Sequence, residues 1–167
     1  MSKFTDKLES SLPHLWRFAY SLTRDEDRAD DLVQDCVERA LRKKAFWIAS
    51  QPLRPWLFKI LLNVYRTQLR GAKLPPVSLD QVPSLVSHDL TPDERLAYLE
   101  TIRRVDLLPD EQKEALLTVV VGGMSYQDAS KALQIPQGTL MSRINRARNK
   151  LKEDSAAEPA PRLRSVS

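Results

Sequence analysis

The chain has 167 residues, enough for one ordinary domain or two small ones, with 42% apolar residues and a formal net charge of +4. A pI of about 9.3 favours a polyanionic partner. A single cysteine, Cys36, excludes an intrachain disulfide and a Cys-based zinc site, and His14 and His88 are too few for a histidine metal cluster, so no cofactor is expected.

No apolar run approaches the roughly 20 residues that cross a bilayer. The N-terminal MSKFTDKLESS lacks the apolar stretch of a signal peptide. The expectation is a cytoplasmic protein without membrane insertion. Four glycines and no sustained two-residue alternation point to an all-α protein. SSLPHLWRFAYSL opens with serines able to cap and a proline suited to a first turn, and it sets Leu15, Trp16, Ala19 and Leu22 on one face. DRADDLVQDCVERAL carries a second stripe, Leu32, Val33, Cys36, Val37, Ala40 and Leu41, in which Cys36 reads as core and not as nucleophile. After the loop KKAFWIASQPLR, the segment PWLFKILLNVYRTQLR turns Trp56, Leu57, Ile60, Leu61 and Val64 inward. Residues 10–72 thus read as a bundle of three main helices.

The stretch 71–92 holds four prolines and no helical stripe, which makes 73–92 a flexible linker. Residues 93–153 read as a second all-helical domain. The tail 154–167, rich in Ala, Pro and Ser, is expected to be disordered. Within the second domain, Leu140, Ile144, Ala147 and Leu151 form an apolar stripe. Thr139, Arg143, Arg146 and Lys150 repeat its spacing one residue earlier, and Pro136 suits the helix start. Before it lies a short helix with Ser125 as N-cap and Ala129, Ala132 and Leu133 turned inward. Two such helices joined by QIP make a helix-turn-helix, whose second helix enters the major groove. Thr139, Ser142, Arg143 and Arg146 are types that reach bases and phosphates there, with Arg148 and Lys150 favouring the backbone.

Charge in the first domain is segregated. Residues 25–38 carry Asp25, Glu26, Asp27, Asp30, Asp31, Asp35 and Glu38, whereas 39–73 carry nine cations and no acid. An acidic face repels DNA and suits a basic protein surface. The basic half carries Phe46, Trp47, Trp56 and Tyr65, and rings beside cations suit unpaired bases. Trp56, which opens the apolar stripe, reads as core, while Phe46 and Trp47 read as exposed.

Three segments, ADDLVQDCVERAL (29–41), RPWLFKILLNVYRTQLR (54–70) and LPDEQKEALLTVVVGGMSYQDASKALQIPQGTLMSRINRARNKL (108–151), resemble in order the motifs of an extracytoplasmic-function (ECF, group IV) sigma factor of the sigma-70 family. The resemblance covers roughly residues 10–152. It implies that 10–72 is sigma region 2 and 93–153 sigma region 4. It implies bacterial core RNA polymerase (β′ clamp, β flap) and promoter DNA as partners, an anti-sigma factor as regulator, and a linker threading toward the polymerase active-site channel. Asp31, Gln34, Asp35 and Glu38 then match the polymerase-binding surface. Phe46, Trp47, Arg54, Lys59, Asn63, Arg66 and Arg70 fall on the −10 surface, and Ser125, Tyr126, Thr139, Ser142, Arg143, Arg146, Arg148 and Lys150 on the −35 surface. Two positions depart from the pattern: Met141 where Lys or Arg is frequent, and Arg66-Thr67 where Ile-Asp is frequent.

Competing readings are a helix-turn-helix regulator with a ligand-binding or dimerising N-terminal domain, and a sigma-like decoy that binds an anti-sigma protein and no DNA. The charge-polarised first domain argues against the first, and the retained DNA-facing cations argue against the second. No P-loop, Rossmann glycine pattern or catalytic triad supports an enzyme. On the linker reading, limited proteolysis should cut first within 71–92 and leave two helical fragments. First cleavage inside 29–41 or 109–151 would contradict that division.

Overall fold

The structure, a computed structural model, describes residues 3–71 and 90–156. Most of the expected linker, and the expected tail from residue 157 onward, lie outside these residues. Seven α-helices and no strand occur among the described residues: α1 (Lys3–Thr23), α2 (Glu26–Arg42), α3 (Leu53–Gly71), α4 (Pro92–Asp106), α5 (Asp110–Val120), α6 (Tyr126–Leu133) and α7 (Gln137–Ala156). A short 3-10 turn, Lys44–Phe46, leads from α2 into the loop before α3.

Helix α1 begins well before the serines that were expected to start it, and Pro13 lies inside it. The apolar stripe explains why. Phe4 and Leu8 are buried and continue the face of Leu15, Phe18 and Leu22 toward the N-terminus. Pro13 sits on the exposed side, where water can satisfy the carbonyl that its missing N–H would have bonded. The chain turns at Arg24, which adopts a left-handed φ of 54°, and Asp25 then caps α2 by accepting a 2.9 Å bond from the Arg28 N–H.

The first three helices pack around Leu15, Phe18, Leu32, Leu57, Phe58 and Leu61, all fully buried. The Phe18 and Phe58 rings stack with centroids 4.6 Å apart. Leu41, expected in the inward stripe of α2, is 46% exposed because it lies about a further 100° round the helix from buried Ala40, on the outward side. Trp16 and Trp56 are half-buried, packed on the rim of the core and not within it.

In the second half, Thr91 and Glu94 form a reciprocal capping box at the start of α4. Ser125 caps α6, and Gln134 takes a left-handed φ of 58° to end it, producing the tight turn into α7. Ala129, Ala132, Leu133, Leu140, Ile144 and Ala147 are buried, as their spacing predicts.

The two halves pack against one another, α6 on α3 and α5 on α1. Gly122 marks the closest approach. A Cβ there would collide with the Thr118 carbonyl and come within 2.8 Å of Phe58 Cε1, so the turn after α5 reaches Phe58 only as glycine.

Cys36 is buried, its thiol donates a 3.5 Å bond to the Leu57 carbonyl, and burial pushes its pKa up to about 12. A thiol-specific disulfide reagent should therefore leave Cys36 unmodified in the native chain at pH 8 and label it stoichiometrically in denaturant. Rapid native labelling would contradict this packing.

Candidate nucleic-acid interface

Three surfaces of different chemistry are built on three helices. The first is the outer face of α2. Ala29, Leu32, Cys36 and Ala40 anchor its inner side, so Asp27, Asp31, Gln34 and Glu38 point to solvent along the opposite side. Asp35 stands apart from that group. It is half-buried and accepts a 3.2 Å bond from Gln68 Nε2, which ties α2 to α3. Asp30 is likewise engaged, accepting a 2.6 Å bond from the Trp16 indole. Exposed Leu41 ends the acidic face and adds an apolar spot that the sequence reading had assigned to the core.

The second surface lies along α3. This helix is buried on most sides, and the remaining strip carries Trp56, Lys59, Asn63, Arg66 and Arg70 at three- and four-residue spacing. Four of the seven residues expected at the −10 surface are thus brought onto one face. Arg54 is not among them. It turns toward the Gly123 turn and toward His14, whose pKa is lowered by burial and, after that, by the charges of Arg54 and Arg17. In the preceding loop Phe46 is 80% exposed and Ile48 is 59% exposed. Trp47 is more enclosed than expected. Its ring tilts against Phe4 at 5.5 Å, Lys7 Nζ lies 5.3 Å from its centroid, and its buried indole nitrogen has no hydrogen-bond partner among the described residues.

The third surface is α7. With Leu140, Ile144 and Ala147 buried, the side directly opposite carries Gly138, Ser142, Asn145 and Asn149, with Arg146 at its edge, all exposed. The stripe read from sequence, Thr139, Arg143, Arg146 and Lys150, is offset from that direction. Thr139 and Arg143 are half-buried on its flank, and Arg143 pairs with Glu111 of α5 at 3.4 Å. Arg148 and Lys150 are exposed on opposite flanks. Asn145, missed in the sequence reading, becomes evident once the wheel is centred on the buried ridge instead of on the charges. Ser125 is exposed, but its hydroxyl accepts a 3.1 Å bond from the Asp128 N–H, and Tyr126 is half-buried against the core.

These surfaces partly face one another. Arg66 makes a two-pronged contact with Glu114 of α5, at 2.6 and 3.4 Å. The start of α3 meets α6 across a 250 Å³ cleft between Trp56 and Lys59 on one side and Asp128 and Lys131 on the other.

A pair of helical domains, one charge-polarised and one bearing a helix-turn-helix, defines a transcription protein that meets both DNA and a protein partner. Comparison with known proteins narrows the class. The family model described as the Sigma2 domain of PhyR matches residues 8–62, and the one described as Sigma-70, region 4 matches residues 98–151. The chain is 36% identical over 147 residues to the ECF RNA polymerase sigma factor EcfG of Rhodopseudomonas palustris, covering 87% of this chain and 81% of that protein. It is 30% identical to the ECF sigma factor SigM of Mycobacterium tuberculosis, covering 82% and 69%. Among solved structures, the sigma factor RpoE of Bartonella quintana, in complex with the anti-sigma factor NepR, superposes with a TM-score of 0.76 at 30% identity, over 95% of this chain and all of that one. The chain belongs to the extracytoplasmic-function sigma factors of the sigma-70 family, a family of transcription regulators.

Because the Ser125 hydroxyl caps α6, Ser125→Ala should lower stability by about 1 kcal/mol. Thermal unfolding of the full chain measures it. Unchanged stability would mean that the hydroxyl is free for DNA.

Proposed function

We propose that this chain is an alternative sigma factor that binds core polymerase and directs initiation at promoters bearing its own −10 and −35 elements. Asp31, Gln34 and Glu38 on α2 meet the β′ clamp, with Asp27 and Leu41 extending the contact and Asp35 holding α2 in place against α3. Phe46 and Ile48 offer apolar surface to unstacked −10 bases, and Lys59, Asn63, Arg66 and Arg70 follow the backbone. Gly138, Ser142, Asn145 and Arg146 face the −35 major groove, while Arg148 and Lys150 hold phosphates and the second domain rests on the β flap. The observation that carries this reading is the separation of acidic and basic chemistry onto different helices of one small body. An acidic protein-docking face beside two cationic faces suits a protein that bridges polymerase and DNA.

Regulation by an anti-sigma factor follows from the same likeness. The structural neighbours RpoE and CnrH are in complex with NepR and CnrY, the cytosolic domain in the latter case. A 710 Å³ apolar groove between Trp16 and Tyr20 of α1, Tyr98 and Ile102 of α4, and Val120 and Val121 at the end of α5 supplies a surface for such a protein. No helix among the described residues is long and apolar enough to cross a membrane. We place the protein in the cytoplasm, where polymerase and chromosome are.

Run-off transcription with purified core polymerase and a genomic promoter pool tests the function. Specific transcripts dependent on the chain are expected, and none would favour the decoy or the repressor. In the same assay Glu38→Lys should weaken core binding, whereas unchanged core affinity would overturn the α2 assignment. Arg146→Ala should cost about 1–3 kcal/mol at a −35 duplex and relax its base preference. Lys150→Ala should weaken all sequences alike and reduce the salt slope by roughly one unit.

A further inference from the structure

The loop between α2 and α3 is held from outside itself. Every residue of 41–52 is exposed except Trp47. The loop's turn bonds, from the N–H groups of Phe46, Trp47 and Gln51 to the carbonyls of Lys43, Lys44 and Ile48, close within the loop. The Trp47 ring is therefore the side chain that fixes this segment against the bundle. Its support comes from the first two turns of α1. The Phe4 ring tilts against Trp47 with centroids 5.5 Å apart and meets Trp56, at the start of α3, edge-on at 6.3 Å. Lys7, one turn further along α1, places Nζ 5.3 Å from the Trp47 centroid. Phe4 itself is buried, so it touches rings within the loop and beyond it while shielded from water.

The orientation of Trp47 sets that of its neighbours. Its backbone is extended, with φ −79° and ψ 129°, and successive side chains of an extended chain point to opposite sides. Turning Trp47 in turns Phe46 and Ile48 out, to exposures of 80% and 59%. The hold works against a cost. The Trp47 indole N–H is buried with no hydrogen-bond partner among the described residues, so swinging the ring into water would give it one. Ring packing by Phe4 and the Lys7 charge oppose that release. Residues 3–7 precede the segment 8–62 matched by the sigma-2 family model, so that match assigns them no part.

We propose that Phe4, aided by Lys7, is a positioning residue for the −10 loop: it keeps Trp47 turned in and so presents Phe46 and Ile48 to unstacked bases before DNA arrives. The proposal rests on the reading of Phe46 and Ile48 as base-stacking surface. It goes further in placing a determinant of strand capture on α1, a helix to which no DNA contact is assigned. A loop ordered in advance spares binding the entropy of ordering it. The brace bears on the single strand alone, because the −35 face of α7 and the acidic face of α2 stand on other elements.

The test uses holoenzyme assembled from the full chain and core polymerase, on a promoter recovered by run-off transcription. Two probes are titrated, a single-stranded oligonucleotide carrying the non-template −10 region and a duplex carrying the −35 region alone. Trypsin cleavage after exposed Lys43 and Lys44 in the free chain reports the order of the loop separately. Phe4→Ala should bind the oligonucleotide about tenfold more weakly, leave the affinities for −35 duplex and core unchanged, and speed the cleavage. Phe4→Tyr, which keeps the ring, should restore both readouts. Phe46→Ala should weaken the oligonucleotide without speeding cleavage. If Phe4→Ala fails to fold, Lys7→Gln should lose more oligonucleotide affinity than Lys3→Gln, which removes the same charge at an exposed position one turn away. Oligonucleotide affinity untouched by Phe4→Ala, or equal in the two lysine variants, overturns the proposal. If Phe46→Ala still weakens binding in that case, the −10 reading of the loop stands without the brace. If it does not, that reading has failed and the proposal falls with it. A chain that yields no transcript fails the sigma-factor reading and takes the proposal with it.

Discussion

The architecture depends on the contact between Phe58 of α3 and the backbone at Gly122. Phe58 is fully buried, stacked on Phe18 within the first bundle and covered from the other side by the turn that follows α5. One ring thus belongs to two cores. Removing it would delete packing from both halves, at a cost on the order of 3–5 kcal/mol for a buried phenylalanine. Because the turn touches the ring with backbone alone, α6 can lie directly along α3. That places the helix-turn-helix against the very helix that carries the cationic strip.

Electrostatics then act on a geometry already set by packing. The α2 acids point away from the joint, and Asp35 is spent on holding α2 to α3 through Gln68. Arg66 of α3 points into it, where Glu114 of α5 meets it, while the Arg143–Glu111 pair ties α7 to α5 within the second half. The apolar contact is non-directional and short-ranged, whereas the ion pairs fix which side chains meet across it.

Much of this was legible in the residues. The all-α class, the buried faces of α2, α6 and α7, and the two helices of the helix-turn-helix follow from three- and four-residue spacing and from capping serines, all of which are local. The cationic strip Lys59, Asn63, Arg66 and Arg70 was legible for the same reason. Errors arose where a local signal was outvoted by distant packing. Pro13 looked like a helix start, but Phe4 and Leu8 carry the stripe past it. Trp47 looked exposed, but α1 extends far enough to cover it with Phe4. For Ser125 and Arg143 the structure adds partners that spacing does not show: one caps α6 and the other pairs with Glu111 of α5. Asn145 was overlooked because charge, not the buried ridge, was used to orient α7. The partners of Arg66 and Arg143 lie 48 and 32 positions away in sequence, at Glu114 and Glu111, and no spacing rule reaches them.

That the joint holds the two halves together in the free chain can be measured as a distance. Nitroxide labels at Asp27→Cys on α2 and Gln127→Cys on α6 sit on exposed positions in opposite halves, and buried Cys36 does not compete for label. Pulsed electron resonance should give one narrow, short distance for the free chain. A broad distribution or a long distance would contradict the account.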